Sequence, residues 1–230
     1  HGAPSDIGLG GGWVLHGDGS WSKSDDLKIG GFALTPDLRA QALATSLLPP
    51  DPNSDVDFAA NAAQRDSLPN TAARSWNLGA GLSYISDGGN IGFAYSHTDS
   101  LYGVPVRMAT EPGQEQEAPR IQLRQDRIDA RAEITPHGPV IDKLAFRFGY
   151  ADYSHSELDP QGAVGTTFLN KGLEARFELV QAHRGGWSGA TGVQLVNRDF
   201  DVVGDEAFLP KNKTTQTGLF TLQEFQSGAL

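Results

Sequence analysis

Two groups of histidines and acids carry the metal-binding chemistry that this sequence offers. His97 and Asp99 share one strand parity. Tyr153, His155, Glu157 and Asp159 share one parity further along the chain. Imidazole and carboxylate ligands suit Zn²⁺ and similar divalent ions. The two groups would make one site only if both face the same interior or loop vestibule. The competing reading is hydrated loop residues, the usual state of exposed acids. Ser96 precedes His97 and Ser154 precedes His155. Neighbours on a strand point to opposite faces, and neither pair sits in a nucleophile elbow. The expectation is therefore no enzyme, with no catalytic residue and no cofactor-binding residue assigned.

A second set of charges alternates with apolar residues: Asp129, Arg131 and Glu133, then Arg147, then Glu174, Arg176 and Glu178. Opposite charges facing each other across neighbouring strands contribute about 0.2–1 kcal/mol each. The arginines are expected to pair with the acids in this way. The set reads as a wet ladder that fixes register rather than as a ligand path.

Strands must position all of these groups. Trp76, Leu78, Ala80, Leu82 and Tyr84 alternate with Asn77, Gly79, Gly81 and Ser83. After the turn Asp87-Gly88-Gly89-Asn90, Ile91, Phe93 and Tyr95 alternate with Gly92, Ala94 and Ser96. Period two means a strand with two unlike faces. The unit recurs with Ile128–Ile134 and Leu144–Tyr150, joined by a turn of two prolines and a glycine. It recurs again with Leu173–Leu179 and Trp187–Leu195, joined at Arg184-Gly185-Gly186. Trp13–Trp21 reads as one further strand, and Thr217–Phe225 as another of ambiguous parity. About eight strands result, with ends uncertain by ~2–4 residues.

One face of these strands is apolar and the other small or polar, with aromatics near the strand ends. That pattern predicts an all-β, antiparallel up-and-down transmembrane β-barrel segment, apolar toward lipid and polar toward a wet interior. Short turns follow Tyr84, Ile134 and Gln181, and long polar connections follow Trp21, His97, Tyr150 and Asn197. Short turns on one side and long loops on the other are the habit of outer-membrane barrels. Trp13, Trp76, Tyr84, Tyr95, Phe146, Tyr150 and Trp187 would then lie at interfaces. The alternative is a soluble secreted β-sandwich that binds carbohydrate or protein and holds those aromatics in its core.

Composition narrows the classes. The 230 residues contain no cysteine, which excludes disulfides and thiolate metal sites. The net charge of −10 argues against a nucleic-acid partner. No stretch approaches the ~18 apolar residues of a membrane helix. The mean hydropathy of −0.35 does not discriminate, because half of each barrel strand is polar. Residues 34–75 are rich in Pro, Asp, Asn and Ala and include Pro49-Pro50-Asp51-Pro52, which breaks regular structure. They read as a long extracellular loop, with a short helix over Leu38–Leu48 behind Pro36. The chain opens at His1 and stops at Leu230 in what reads as a strand interior, so a fragment or processed chain is expected.

An ordered set of phrases resembles the TonB-dependent outer-membrane receptors. They are Trp21-Ser-Lys-Ser-Asp-Asp-Leu-Lys-Ile-Gly-Gly31, Leu68-Pro-Asn-Thr71 and Tyr95-Ser-His-Thr-Asp-Ser-Leu-Tyr-Gly-Val-Pro105. Arg124-Gln-Asp-Arg-Ile-Asp-Ala-Arg-Ala-Glu133 and Phe146-Arg-Phe-Gly-Tyr-Ala-Asp-Tyr-Ser-His155 follow. Val164-Gly-Thr-Thr-Phe168, Arg198-Asp-Phe200 and Val203-Gly-Asp-Glu-Ala-Phe-Leu-Pro210 complete it. The set covers most of the chain and is similar to the branch that includes zinc-uptake receptors. The resemblance implies an intact protein with an N-terminal plug inside a barrel of roughly 22 strands. It implies uptake of a scarce ligand, a metal ion such as Zn²⁺ or a metal chelate, driven through the TonB system. It places the protein in the bacterial outer membrane, with membrane lipid as its surroundings. No plug is recognisable in residues 1–230, which read as part of the barrel domain alone. Other copies or remaining barrel sequence would complete the wall. Zinc-receptor relatives often carry a His-rich loop after the Tyr-Gly-Val-Pro phrase. Here Val106–Arg120 holds Glu111, Glu115 and Glu117 and no histidine.

Overall fold

The computed structural model describes residues 2–50, 52, 54–136, 138–204 and 207–228. Readings that rest on His1, Asp51, Asp205, Glu206, Leu230 or residue 137 of the proline turn lie outside these residues. One antiparallel sheet of nine strands dominates the chain. Its strands are β1 (Gly2–Gly10), β2 (Trp13–Ser24), β5 (Ala73–Ser86), β6 (Gly89–Gly103), β7 (Arg120–Ile134), β8 (Ile141–Leu158), β9 (Val164–Arg184), β10 (Trp187–Gly204) and β11 (Asn212–Phe225). Each pairs with the next, in the order β1-β2-β5-β6-β7-β8-β9-β10-β11. The sheet is an up-and-down meander and is not closed into a barrel: among the described residues β1 and β11 do not pair.

The segment between β2 and β5 is not a structureless loop. It holds β3 (Leu27–Phe32) and β4 (Arg65–Leu68), which form a two-stranded sheet, and the helices α1 (Pro36–Thr45) and α2 (Phe58–Ala63). Pro36 opens α1 at a position where its missing N–H costs nothing, and Asp37 favours the helix start. Leu47 and Leu48, expected to be helical, lie beyond the helix, and Ala73–Ser75 belong to β5 rather than to the loop. Asp57 caps α2 by accepting the Ala60 N–H at 2.8 Å. The Arg39 guanidinium lies 3.3 Å over the Phe32 ring and donates to the Ala62 carbonyl at 2.9 Å.

The expected strands are all present, and longer. The strands continue past Tyr150 to Leu158 and past Asn197 to Gly204. The connections there shrink to 159–163 and 205–211, so two loops expected to be long are short. The sharp turns sit at one end of the sheet. Gly11 and Gly12, and again Gly185 and Gly186, take positive φ there, the backbone that a two-residue hairpin turn needs. β1 was not expected; it pairs with β2 from Ile7↔Leu15 to Gly2↔Ser20.

Register assigns every side chain to a face. Leu78↔His97↔Asp126↔Asp152 and Leu82↔Phe93↔Ala130↔Phe148 run across one face. Gly79↔Ser96↔Arg127↔Ala151 and Ser83↔Gly92↔Arg131↔Arg147 run across the other. The first face carries most of the apolar residues of β2 and β5–β8, many of them exposed: Phe93 is 57 % exposed and Leu78 54 %, and Trp187 on β10 is 53 % exposed. The second is concave, since residues from β1 through β8 line one shared cleft on it. Apolar residues buried in the described structure are few and mostly small, including Ala42, Ala62, Ala109 and Ala145. A sandwich needs a second sheet packed about 10 Å away. Among the described residues the only other sheet is the β3–β4 ribbon, and it does not supply the second layer that the two-sheet alternative needs.

Candidate functional site

The convex face is banded. Near the turns, Trp13 packs on Tyr84 with ring centres 5.0 Å apart, and Trp187 packs on Phe225 at 4.8 Å. Eight residues up β5, Trp76 pairs with Trp21 across β2, and Tyr95 and Tyr150 share a row with Ala80 and Ile128, four residues closer to the turns. Leu78, Leu82, Phe93, Ile128, Phe146 and Phe177 fill the space between. At ~3.3 Å per residue, Trp76 to Tyr84 spans roughly 26 Å along the strand. A strand tilted by ~40° reduces this to about 20 Å of height.

Beyond Tyr95 on β6 and Tyr150 on β8 the same face turns charged. Asp126 accepts from the Tyr95 hydroxyl and lies 2.8 Å from His97 Nδ1. The His97 ring lies 4.7 Å from Trp76. Arg124 donates to Asp99 at 3.1 Å, and Lys171 lies 3.1 Å from Asp152. Lys211 approaches Asp199 at 3.4 Å and Asp201 at 3.7 Å. These pairs sit at exposed positions, where an ion pair is worth ~0–1 kcal/mol.

The two expected metal groups do not meet. His97 and Asp99 belong to the convex face, each held by a partner on β7. Tyr153, His155 and Glu157 point to the concave face. There the Tyr153 hydroxyl lies 3.0 Å from His155 Nδ1, and His155 stacks on Phe168 at 4.4 Å and 15°. Asp159 leaves the strand altogether and accepts the Ala163 N–H at 2.7 Å, which closes the β8–β9 loop. A strand places residues of unlike parity on opposite sides of the sheet, so a single site built from both groups is ruled out by register. Among the described residues no three His, Cys, Asp or Glu side chains gather as a metal-holding group.

The charge ladder is on the concave face, as its parity predicts, but its pairing differs from expectation. Arg131, Arg147 and Arg176 lie directly opposite one another across β7, β8 and β9. Glu133 and Glu178 share the row below with Ala145 between them, and Asp129 and Glu174 share the row above with Gly149 between them. Like therefore faces like. The ion pairs form along strands instead: Arg176 donates to Glu178 at 2.7 Å, and Arg127 grips Asp129 through two bonds of 2.7 Å. Arg198 reaches Glu174 across β9–β10 at 3.9 Å. The turn between β7 and β8 fixes this register, and the sequence of either strand alone does not reveal it.

A cleft of about 560 Å³ opens on this face, with His16, Ser83, Gly92, Asp129, Arg131 and Arg147 among its walls. His16 is held between Asp6 at 2.7 Å and Asp18 at 3.0 Å. Asp18 reaches His16 by lying over Gly79, where a Cβ would stand 2.1 Å from its carboxylate oxygen. Sequence reasoning missed this trio. The shared parity of His16 and Asp18 was visible, but Asp6 joins them only through the unexpected β1. It also missed the tie between the two long connections. Asn61, 93 % buried, donates to the Ala109 carbonyl at 2.9 Å and to Gln116 at 2.5 Å. Compared with known proteins, the chain matches no family model and no curated protein.

Proposed function

We propose that this chain is a wall segment of an outer-membrane β-barrel receptor that takes up a scarce ligand. The carrying observation is the convex face: two aromatic tiers bracket an exposed apolar belt, and a charged tier follows beyond one of them. Soluble monomers rarely expose a contiguous apolar area beyond a few hundred Å², whereas a belt ~25 Å tall with aromatic girdles suits a bilayer. The polar concave face supports a wet lumen. The phrases that resemble TonB-dependent receptors add the uptake role, with energy reaching the intact protein through a plug and the TonB system. A metal ion or metal chelate is the proposed cargo, by that resemblance alone.

Epitope tags test the orientation. A tag at Gly162, in the β8–β9 loop, should be reached by antibody on intact cells, and a tag at Gly88, in the β5–β6 turn, only after lysis. Equal reach at both positions would sink the proposed topology. Zn²⁺ accumulation by metal-starved native cells, with and without the intact gene, tests the cargo. Equal accumulation removes Zn²⁺ from consideration.

A further inference from the structure

We propose that Arg131 and Arg147 form a binding site for a compact multivalent oxyanion, a small molecule bearing two or more carboxylate or phosphate groups. The site stands on the register of the sheet and does not depend on the uptake reading. The two arginines face each other directly across β7 and β8, an arrangement that is unfavourable unless a counter-charge intervenes. Among the described residues neither takes part in an ion pair within 4 Å. Of the neighbouring acids, Asp129 is engaged by Arg127, Glu178 by Arg176 and Glu174 by Arg198, while Glu133, two residues along β7, makes no ion pair within 4 Å among the described residues. Arg176, third in the row, is also held over the Phe220 ring at 4.1 Å. It is anchored, while its two neighbours are free to grip a ligand.

The surroundings leave room for one. Arg131 lies across Gly92, where a Cβ would stand 3.7 Å from its Nε. Beyond Gly92 the row continues to Ser83, whose hydroxyl adds a donor to the cleft wall. A cleft of about 560 Å³ falls within the ~300–1,000 Å³ range of small-molecule sites. Guanidinium groups bind carboxylates and phosphates through paired N–H donors, which a lysine cannot reproduce. The acids bound the ligand. Glu133, near the turns, and Asp6, on the far wall, would repel an anion that extended past the two arginines.

Calorimetry on the purified full chain, titrated with citrate and with pyrophosphate at constant ionic strength, is the test. Saturable heat is expected for at least one of them. Arg131→Gln and Arg147→Gln should each weaken binding about tenfold or more, since a charge-assisted contact is lost. Arg147→Lys should recover only part of it. Arg124→Gln, on the convex face, should bind as the parent does. Ser83→Glu gives Arg131 an internal counter-charge, so it should preserve folding and abolish binding, which covers the case in which an arginine variant fails to fold. Absence of heat with both anions would overturn the site. So would an Arg124→Gln loss equal to that of Arg147→Gln, or unchanged binding in Ser83→Glu.

Discussion

Phe146 and Arg147 are neighbours with opposite duties, and substitutions at this scale separate the two faces. Phe146 lies on the belt between Ala132 and Phe177. On the proposed lipid-facing reading of this belt, Phe146→Arg would put a charge into hydrocarbon at a cost of ~2–4 kcal/mol near the bilayer centre. The expected result is loss of the fast-migrating folded band when membranes are run unheated on SDS gels. Normal assembly would remove the lipid-facing role of β8. Gly192 tests packing on the other face. A Cβ there would meet the Phe177 carbonyl oxygen at 2.5 Å and the Phe220 ring at 2.3 Å. Gly192→Val should lower the urea midpoint by an amount equivalent to about 1–3 kcal/mol. Gly218→Val, with nothing within 4 Å, should leave it nearly unchanged. Individual site residues were legible only in part. The parity of His97 and Asp99 could be read from the sequence. Their partners, Asp126 and Arg124, required the β6–β7 register, because nothing local in a strand says which residue of another will face it.

Strand identity was the most legible level, because the belt forces strict alternation wherever a strand crosses it. Legibility ended with the belt. Past Tyr150, β8 continues as Ala-Asp-Tyr-Ser-His-Ser-Glu-Leu, polar on both faces, and looks like loop although it pairs fully with β9. β1 was hidden for a related reason: Gly2, Gly8 and Gly10 dilute its pattern, leaving Ile7 and Leu9 as its clearest apolar marks. Alternation also explains why the strands tolerate no slip. One residue inserted between Phe148 and Gly149 would send half of β8's apolar set to the wet face. That variant should fail to assemble, whereas the same insertion at Gly162, exposed in the β8–β9 loop, should assemble normally on the same gel. The connections form an element of their own. Removing the Asn61 amide leaves the Ala109 carbonyl without its donor and Gln116 with only its bond from the Ala109 N–H, a local loss of about 1–3 kcal/mol. Asn61→Ala should therefore speed amide exchange across 107–116 while β7 and β8 keep their protection. Equal exchange in parent and variant would show that this tie does not hold the connections together.

At the scale of the whole molecule the decisive feature is the pair of open edges. On each edge strand, β1 and β11, every second residue directs its N–H and C=O away from the sheet. In hydrocarbon each unpaired group costs several kcal/mol, so a curved sheet with two bare edges cannot be the membrane species. In water those groups would be solvated, but the exposed belt of Phe93, Leu78, Phe146 and their neighbours would drive association. On the proposed reading, further strands pair with these two edges to complete the wall. The mass of the native species in detergent, measured by light scattering with the detergent subtracted, tests this directly. A particle well above the 24.5 kDa of this chain, dependent on detergent and shifting on heating, is the expected outcome. A 24.5 kDa monomer that stays dispersed without detergent would mean that the belt is covered by the protein itself. The membrane reading would then fall, and the oxyanion cleft would remain to be judged on its own titration.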